Sequence, residues 1–333
     1  MAGAATAAVV ALGGGGFAAG TLAAEPTVAA AAQTDAGYAN VVQKVLPSVV
    51  LIKTSEGLGS GVVLDAKGDI VTNAHVAGTA TSFQVQLADD PKPREARLVG
   101  SYPAGDLAVI KVDDTSGLKP ASFGNSDRAR AGDVVLAVGN PLGLSGSVTD
   151  GIVSATGRAV TEPASGNSDG TVLPDAIQTS APINPGNSGG ALVNSSGQVI
   201  GIPTLAATSS QNGTQAQGIG FAITSNLARD IAGQLIDTGH VTSTHRAAIG
   251  AHVTTITGEG VGLVNVTSGG PAERAGLRAG DVIVAVGQQS TPDTAALAEA
   301  LAAKDPGQTV AVTAVRDTQK LTVQVTLGEL SGA

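Results

Sequence analysis

A serine that is to attack a peptide bond needs a histidine to take its proton, an acid to hold that histidine, and donors for the oxyanion that forms. The stretch INPGNSGGALV, Ile183 to Val193, offers such a serine in Ser188, with Gly186 before it and Gly189 and Gly190 after it. Pro-Gly-Asn-Ser-Gly is also turn chemistry, yet a turn needs one or two permissive residues rather than three glycines around a hydroxyl. Glycines on both sides let backbone N–H groups approach whatever the serine attacks. Four histidines are available, His75, His240, His245 and His252. His75 lies in a strand-rich motif, VTNAHVAG, and the other three cluster at a junction between two units, so His75 is the base candidate. In AGDLAVIKV, Asp106 stands immediately before an apolar run, where a partly shielded acid belongs.

GNSGG also satisfies G-x-S-x-G, the nucleophile elbow of α/β-hydrolases. Chain order separates the two readings. In that fold the acid and histidine follow the serine and a helix follows the turn; here a strand pattern follows Ser188, and His75 and Asp106 precede it. The order His, Asp, Ser is that of chymotrypsin-like double barrels.

The elements that must position these residues are mostly short strands. YANVVQKVLPSVVLIKT begins with helical spacing and turns at Pro47 into a β-branched run. From there to about Thr224, apolar runs alternate with Gly, Pro and Asp clusters, the pattern of antiparallel barrels or a sandwich. GSGVVLD and DIVTNAHV flank AKG as a hairpin. The longest polar interruptions, Gly157 to Thr179 and Leu205 to Gln217, read as loops of functional length. Leu227, Ile231 and Leu235 then recur at helical spacing from a cap at Thr224 or Ser225 to Gly239. HVTSTHRAA reads as a linker, and a second unit follows with strands, a short helix at PAERAG and a longer one begun by Pro292. The expected domains are a segment at 1–39, a catalytic domain at 40–239, a linker at 240–248 and a second domain at 249–330.

Composition narrows the function. The 333 residues carry 18 basic and 27 acidic side chains, a formal charge of −9 with 2% aromatic residues, which gives no footprint for nucleic acid. Cysteine is absent, excluding thiol catalysis and Cys-ligated zinc, and the histidines have no metal-binding spacing, so no cofactor is expected. Met1 to Ala24 has no charged side chain, and AAVVALGGGGFAAGTLAA is long enough to enter a membrane. Its Ala and Gly are weak drivers of insertion. It reads as a signal-like or anchor-like segment ahead of a flexible spacer that could be cleaved near Ala32, and this points to an extracytoplasmic protein, periplasmic or at the cell surface.

SGVVLDAKGDIVTNAHV, DLAVIKV, GNPLGLSGSVTDGIVSATGR, INPGNSGGALVN and QGIGFAI, in that order, resemble the HtrA/Deg family of trypsin-like serine proteases. GGPAERAGLRAGDVIVAVGQQST resembles that family's C-terminal PDZ domain, and the resemblance covers roughly residues 40 to 330. It implies a mainly β protein, a chymotrypsin-like double six-stranded β-barrel with the site in the cleft, followed by an α+β PDZ domain. It implies Ser188 as nucleophile, His75 as general base, Asp106 as orienting acid, and an oxyanion hole at Gly186, Asn187 and Ser188 built from the N–H groups of Gly186 and Ser188. Such a hole is worth about 3 kcal/mol per donor. Asn187 stands where digestive relatives carry an aspartate that pairs with a new N-terminus, so the resemblance implies regulation by the long loops instead.

The trypsin-like resemblance puts Pro182 at the base of the primary pocket, with Ala181 and Ile183 beside it and Thr204, Leu205 and Gly218 as walls. With no carboxylate there, cleavage after Val, Ala or Leu is expected. AAIGAHVTTI reads as a loop with exposed N–H groups entering an edge strand, which makes Ala248, Ile249, Gly250 and Ala251 the residues to capture a terminal carboxylate and add a peptide as a strand. The resulting expectation is an ATP-independent endopeptidase acting on misfolded or damaged proteins, with C-terminal peptides at its PDZ domain, a homotrimeric assembly through the segment around Tyr38, and membrane association through the N-terminal segment. The alternative is a non-proteolytic chaperone that holds unfolded partners on the same fold.

Overall fold

The structure is a computed structural model that describes residues 37 to 330 except 56, 91, 141–145, 163–170, 185 and 209–214. The N-terminal segment and spacer before residue 37 lie outside the described residues. Helix α1, over residues 37–45, gives way to a single 3-10 turn at Leu46–Ser48 containing Pro47. Six strands follow: β1 (Val49–Lys53), β2 (Leu58–Val63), β3 (Asp69–Thr72), β4 (Ser82–Gln86), β5 (Arg94–Tyr102) and β6 (Leu107–Val112), closed as a barrel in the order β1-β2-β3-β6-β5-β4. A one-turn helix, α2 (Ala74–Ala77), leaves the end of β3. The second barrel has β7 (Val134–Gly139), β8 (Ser147–Glu162), β9 (Thr171–Thr179), β10 (Ala191–Asn194), β11 (Val199–Thr208) and β12 (Gln215–Thr224), closed as β10-β11-β12-β9-β8-β7. The fold is the expected mainly β double barrel.

Closing a sheet on itself removes its edges and gives each barrel an inside and an outside. Val50, Ile52, Val63, Ile70, Phe83 and Ile110 fill the first barrel. Val135, Ala137, Val153, Ile177, Leu192 and Ile200 fill the second. The alternate residues of the same strands do not face water throughout: Val49, Val62, Val71, Leu107 and Val109 of one barrel share a third core with Leu136, Val138, Ala191, Val193 and Ile202 of the other. Both faces of these strands are therefore apolar, which is why their runs look continuous rather than alternating. Helix α3 (Ser225–Thr238) lays Ala228, Ile231, Ala232 and Leu235 on that shared core and ends where Gly239 enters the left-handed region at φ 79° and returns its N–H to Leu235.

Three expectations about elements need correction. His75 sits on α2, not within a strand. The two polar interruptions are largely strand: β8 runs to Glu162 and pairs Thr161 with Val172, and β11 and β12 pair as far as Thr208 and Gln215. They look like loops because backbone pairing needs no apolar side chain. Pro292 lies ahead of the longer helix of the second unit, whose cap is Asp293, accepting the N–H of Ala296 at 2.8 Å.

The second unit is a separate core of Ile249, Val261, Leu263, Leu277, Ile283, Leu297, Val312 and Val325. Its strands are β13 (Ala247–Ala248), β14 (Ala251–Ile256), β15 (Gly260–Val266), β16 (Val282–Val286), β17 (Gln289–Ser290), β18 (Thr309–Arg316), β19 (Gln319–Thr326) and β20 (Gly328–Glu329), with helices α4 (Pro271–Arg274) and α5 (Thr294–Ala302). β13 pairs with β20 in a two-stranded sheet of its own, apart from the sheet ordered β14-β15-β16-β18-β19, so Ala247 and Ala248 belong to this unit rather than to the linker. The residues before them are tied on both sides: Gln234 of α3 accepts the N–H groups of Thr242 and Ser243 at 2.9 and 2.8 Å, and Thr244 donates to Leu330 at 2.7 Å. Hydrogen bonds from the Ser243 hydroxyl and the His245 N–H, at 2.6 and 2.7 Å, hold Glu329 below the usual carboxylate range.

Asp281, whose side chain is 1% exposed, is gripped by Arg316 at 2.6 and 2.7 Å, and the guanidinium's hydrogen bonds hold its carboxyl low. A carboxylate depressed in the folded state contributes stability that is present above its unfolded pKa and lost as pH falls through the folded value. Arg316→Met is thus expected to lower the melting temperature at pH 7, with the gap to the wild type closing as pH falls below the ordinary aspartate range. Calorimetry across pH 2 to 7 reads this, and a gap independent of pH would mean that packing rather than the ion pair is lost.

Candidate active site

The acid and base candidates are brought together where the first barrel ends two of its strands. The backbone at Asp106 follows a 3-10 turn at Pro103–Gly105 and takes the left-handed conformation, φ 52° and ψ 42°, which Asp tolerates better than most residues. That turn aims the carboxylate at α2. Asn73, fully buried, caps α2 with extended backbone and donates its Nδ2 to the Asp106 carbonyl at 3.0 Å. His75 meets the same carboxylate twice: its N–H donates to Oδ1 at 3.0 Å, and ring Nδ1 lies 3.0 and 2.9 Å from Oδ1 and Oδ2. The Thr204 hydroxyl of β11 donates to Oδ2 as well. An ionised carboxylate only accepts, so Nδ1 carries the imidazole proton and Nε2 keeps its lone pair. Asp106 is 4% exposed while the His75 side chain is 47% exposed, a buried anchor beneath an open ring.

Ser188 comes from the second barrel. Its Oγ lies 3.4 Å from the Thr204 carbonyl, so Thr204 touches the acid with its hydroxyl and the serine with its backbone. Thr204, expected as a pocket wall, therefore holds Asp106, and no feature of the sequence around it signals this. The turn is tied within itself: Asn187 N–H donates to Asn184 and Gly190 N–H to Asn187, at 3.1 and 3.0 Å. Asn187, 2% exposed, folds its side chain back, accepting the Asn184 N–H at 3.0 Å and donating to the Pro182 carbonyl at 3.1 Å. Among the described residues, the N–H groups of Gly186 and Ser188 have no acceptor. Two glycines prove to be there for close approach: a Cβ at Gly189 would lie 2.3 Å from the Ser60 carbonyl, and one at Gly190 would lie 2.3 Å from the Val138 carbonyl.

The domains of this chain match those of known proteins. A trypsin-like peptidase domain matches residues 59–202 and a PDZ domain matches 247–327. The chain is 40% identical over 330 residues to the serine protease PepD of Mycobacterium tuberculosis, covering 92% of this chain and 69% of PepD. It is 37% identical over 317 residues to the serine endoprotease DegS of Escherichia coli, covering 89% and 87%. The chain belongs to the HtrA/Deg family of serine proteases. Among solved structures, the HtrA-type protease AlgW with a decapeptide superposes with a TM-score of 0.61 at 36% identity, over 88% of this chain and 98% of that one. This HtrA protease is a serine endopeptidase with a PDZ domain that binds peptide or protein.

The remaining sequence-predicted residues fall as follows. Ala181 and Ile183 are buried, while Pro182 is exposed and its carbonyl accepts from Asn187 and from Thr149. Gly218 has φ 74° and faces open space, and the Leu205 side chain lies outside the described residues. In the PDZ unit, Ala248 and Ala251 end and begin paired strands. Between them, the N–H groups of Ile249 and Gly250 have no acceptor among the described residues, and Gly250 turns at φ 70° against Pro271. These four residues line a cavity of about 910 Å³ that runs between β14 and α5 and reaches Asp175, Asn226 and Asp230 of the protease unit. Burial raises the carboxyl of Asp175 above its ordinary value, and the nearby Asp127 adds to this. Tyr38 is half-buried against the shared core of its own chain.

A hydrogen bond to a charged group is worth about 1.5–3 kcal/mol. Thr204→Val is thus expected to lower kcat by about ten- to a hundredfold at little change in KM, read with a chromogenic peptide. Gly189→Ala is expected to abolish turnover, because the added methyl displaces the turn from β2.

Proposed function

We propose that this HtrA protease is an extracytoplasmic, ATP-independent endopeptidase of misfolded or damaged proteins, with Ser188, His75 and Asp106 as its triad. The observation that carries the reading is the Asp106 carboxylate gripping His75 Nδ1 beside a serine whose turn holds two N–H groups without an acceptor among the described residues. In the reaction, Ser188 Oγ attacks the scissile carbonyl while His75 Nε2 takes its proton, and Asp106 stabilises the imidazolium. The N–H groups of Gly186 and Ser188 receive the oxyanion. His75 then delivers its proton to the departing amine, and water repeats the sequence on the acyl-enzyme.

The residues proposed for the pocket, Ala181, Pro182, Ile183, Thr204, Leu205 and Gly218, carry no charge, which favours Val, Ala or Leu before the cleaved bond. Ala248, Ile249, Gly250 and Ala251 are proposed to hold a C-terminal carboxylate, the peptide lying along β14 in the cavity. The uncharged stretch from Met1 to Ala24 supports export and membrane association. Among the described residues no helix is long and apolar enough to cross a membrane. A homotrimer joined near Tyr38 is the proposed assembly.

β-Casein turnover by wild type and Ser188→Ala, each with and without a peptide ending in a hydrophobic residue, tests these assignments. Turnover is expected in the wild type alone, with bonds cut after small aliphatic residues and faster with the peptide. Casein held but not cut by the wild type would favour a chaperone, and cleavage after Lys or Arg would refute the pocket assignment.

A further inference from the structure

The turn that bears Ser188 is gripped from the opposite barrel by one residue. Ser60 of β2 is fully buried. Its hydroxyl donates to the Gly186 carbonyl at 2.6 Å and accepts the Asn140 N–H at 2.8 Å. Its own N–H donates to the Ser188 carbonyl at 3.1 Å, and its carbonyl accepts the Thr72 hydroxyl at 2.6 Å. The two carbonyls it holds belong to the Gly186–Asn187 and Ser188–Gly189 peptides. Between these lies the Asn187–Ser188 peptide, which carries the Ser188 N–H, and the Gly186–Asn187 peptide also adjoins the one that carries the Gly186 N–H.

Such a turn needs an external grip. Gly186 and Gly189 stand at φ 116° and 77°, and glycine leaves the neighbouring peptides free to rotate at small cost. A rotation that turned either N–H aside would remove a donor from the oxyanion without disturbing the triad. Asn140 brings the end of β7 to the same hydroxyl, and its own buried side-chain amide has no partner among the described residues.

We propose that Ser60 is a positioning residue of the oxyanion site, its hydroxyl and N–H clamping the two peptides that flank the Ser188 N–H. The inference rests on the reading of the Gly186 and Ser188 N–H groups as the oxyanion donors. No bond of Ser60 reaches Asp106, so the clamp acts on the transition state and leaves triad titration alone.

The test compares wild type, Ser60→Ala and Ser60→Cys with a chromogenic peptide ending in Val, a boronic acid of the same sequence and the product peptide. Loss of one oxyanion donor costs about 10²–10³ in kcat, and loosening the donors is expected to cost about 10–100-fold. KM should stay within about twofold, and the boronic acid, which becomes tetrahedral on Ser188, should weaken in step with kcat. Product-peptide affinity and the midpoint of the acidic limb of the pH profile should not move. Equal losses for boronic acid and product peptide, or a kcat within about twofold of wild type, would overturn the proposal. Should Ser60→Ala fail to fold by circular dichroism, Ser60→Cys, a near-isosteric weak donor, is read by the same split between kcat and KM. Capture of the boronic acid by wild type, lost in Ser188→Ala, checks the underlying reading separately; no capture by wild type would sink the oxyanion assignment and the clamp with it.

Discussion

The ionised carboxylate of Asp106 is the constraint on which the site depends. Buried at the seam of the two barrels, it collects donors from His75, twice, and from Thr204. A buried carboxylate without such donors would be costly, and with them it becomes a fixed point from which the imidazole and the β11 backbone are both measured. Because Thr204 belongs to the second barrel and Asp106 to the first, the same hydrogen bond that orients the acid also registers the barrels against each other. The apolar core shared by the barrels supplies the area that keeps this seam closed, and α3 seals it from outside.

The serine turn obeys a second constraint, space. Gly189 and Gly190 press against carbonyls of Ser60 and Val138, so the turn is wedged between one strand of each barrel. Asn187 contributes its side chain to the turn itself, where an aspartate awaiting a new N-terminus would have left a charge to be met. Among the described residues, the turn is therefore held by local amide bonds and by the opposite barrel.

The PDZ unit has its own core, yet its groove does not open only onto itself. Carbonyl and hydroxyl bonds tie the residues before β13 to α3 and to the end of the chain, and the cavity beside β14 reaches Asp175 of β9. Asp175 takes the left-handed backbone conformation at φ 55°, and its carboxyl, held above the ordinary value, lines the part of the cavity that meets the protease unit.

Much was legible in the sequence because its signals are local. The His, Asp, Ser order, three glycines around Ser188, β-branched runs and the spacing of α3 each express a physical requirement of a few neighbouring residues. These determined the double barrel, the triad candidates and the serine protease family. What the sequence could not express depends on residues far apart in the chain. The hydroxyl of Thr204 finds Asp106 across 98 positions, and that of Ser60 finds Gly186 across 126. The polar hairpins of β8 with β9 and β11 with β12 have the sequence pattern of loops because pairing between backbones leaves no mark on side-chain pattern. Only the closure of two barrels against each other decided which hydroxyls are buried and which peptides of the serine turn are held.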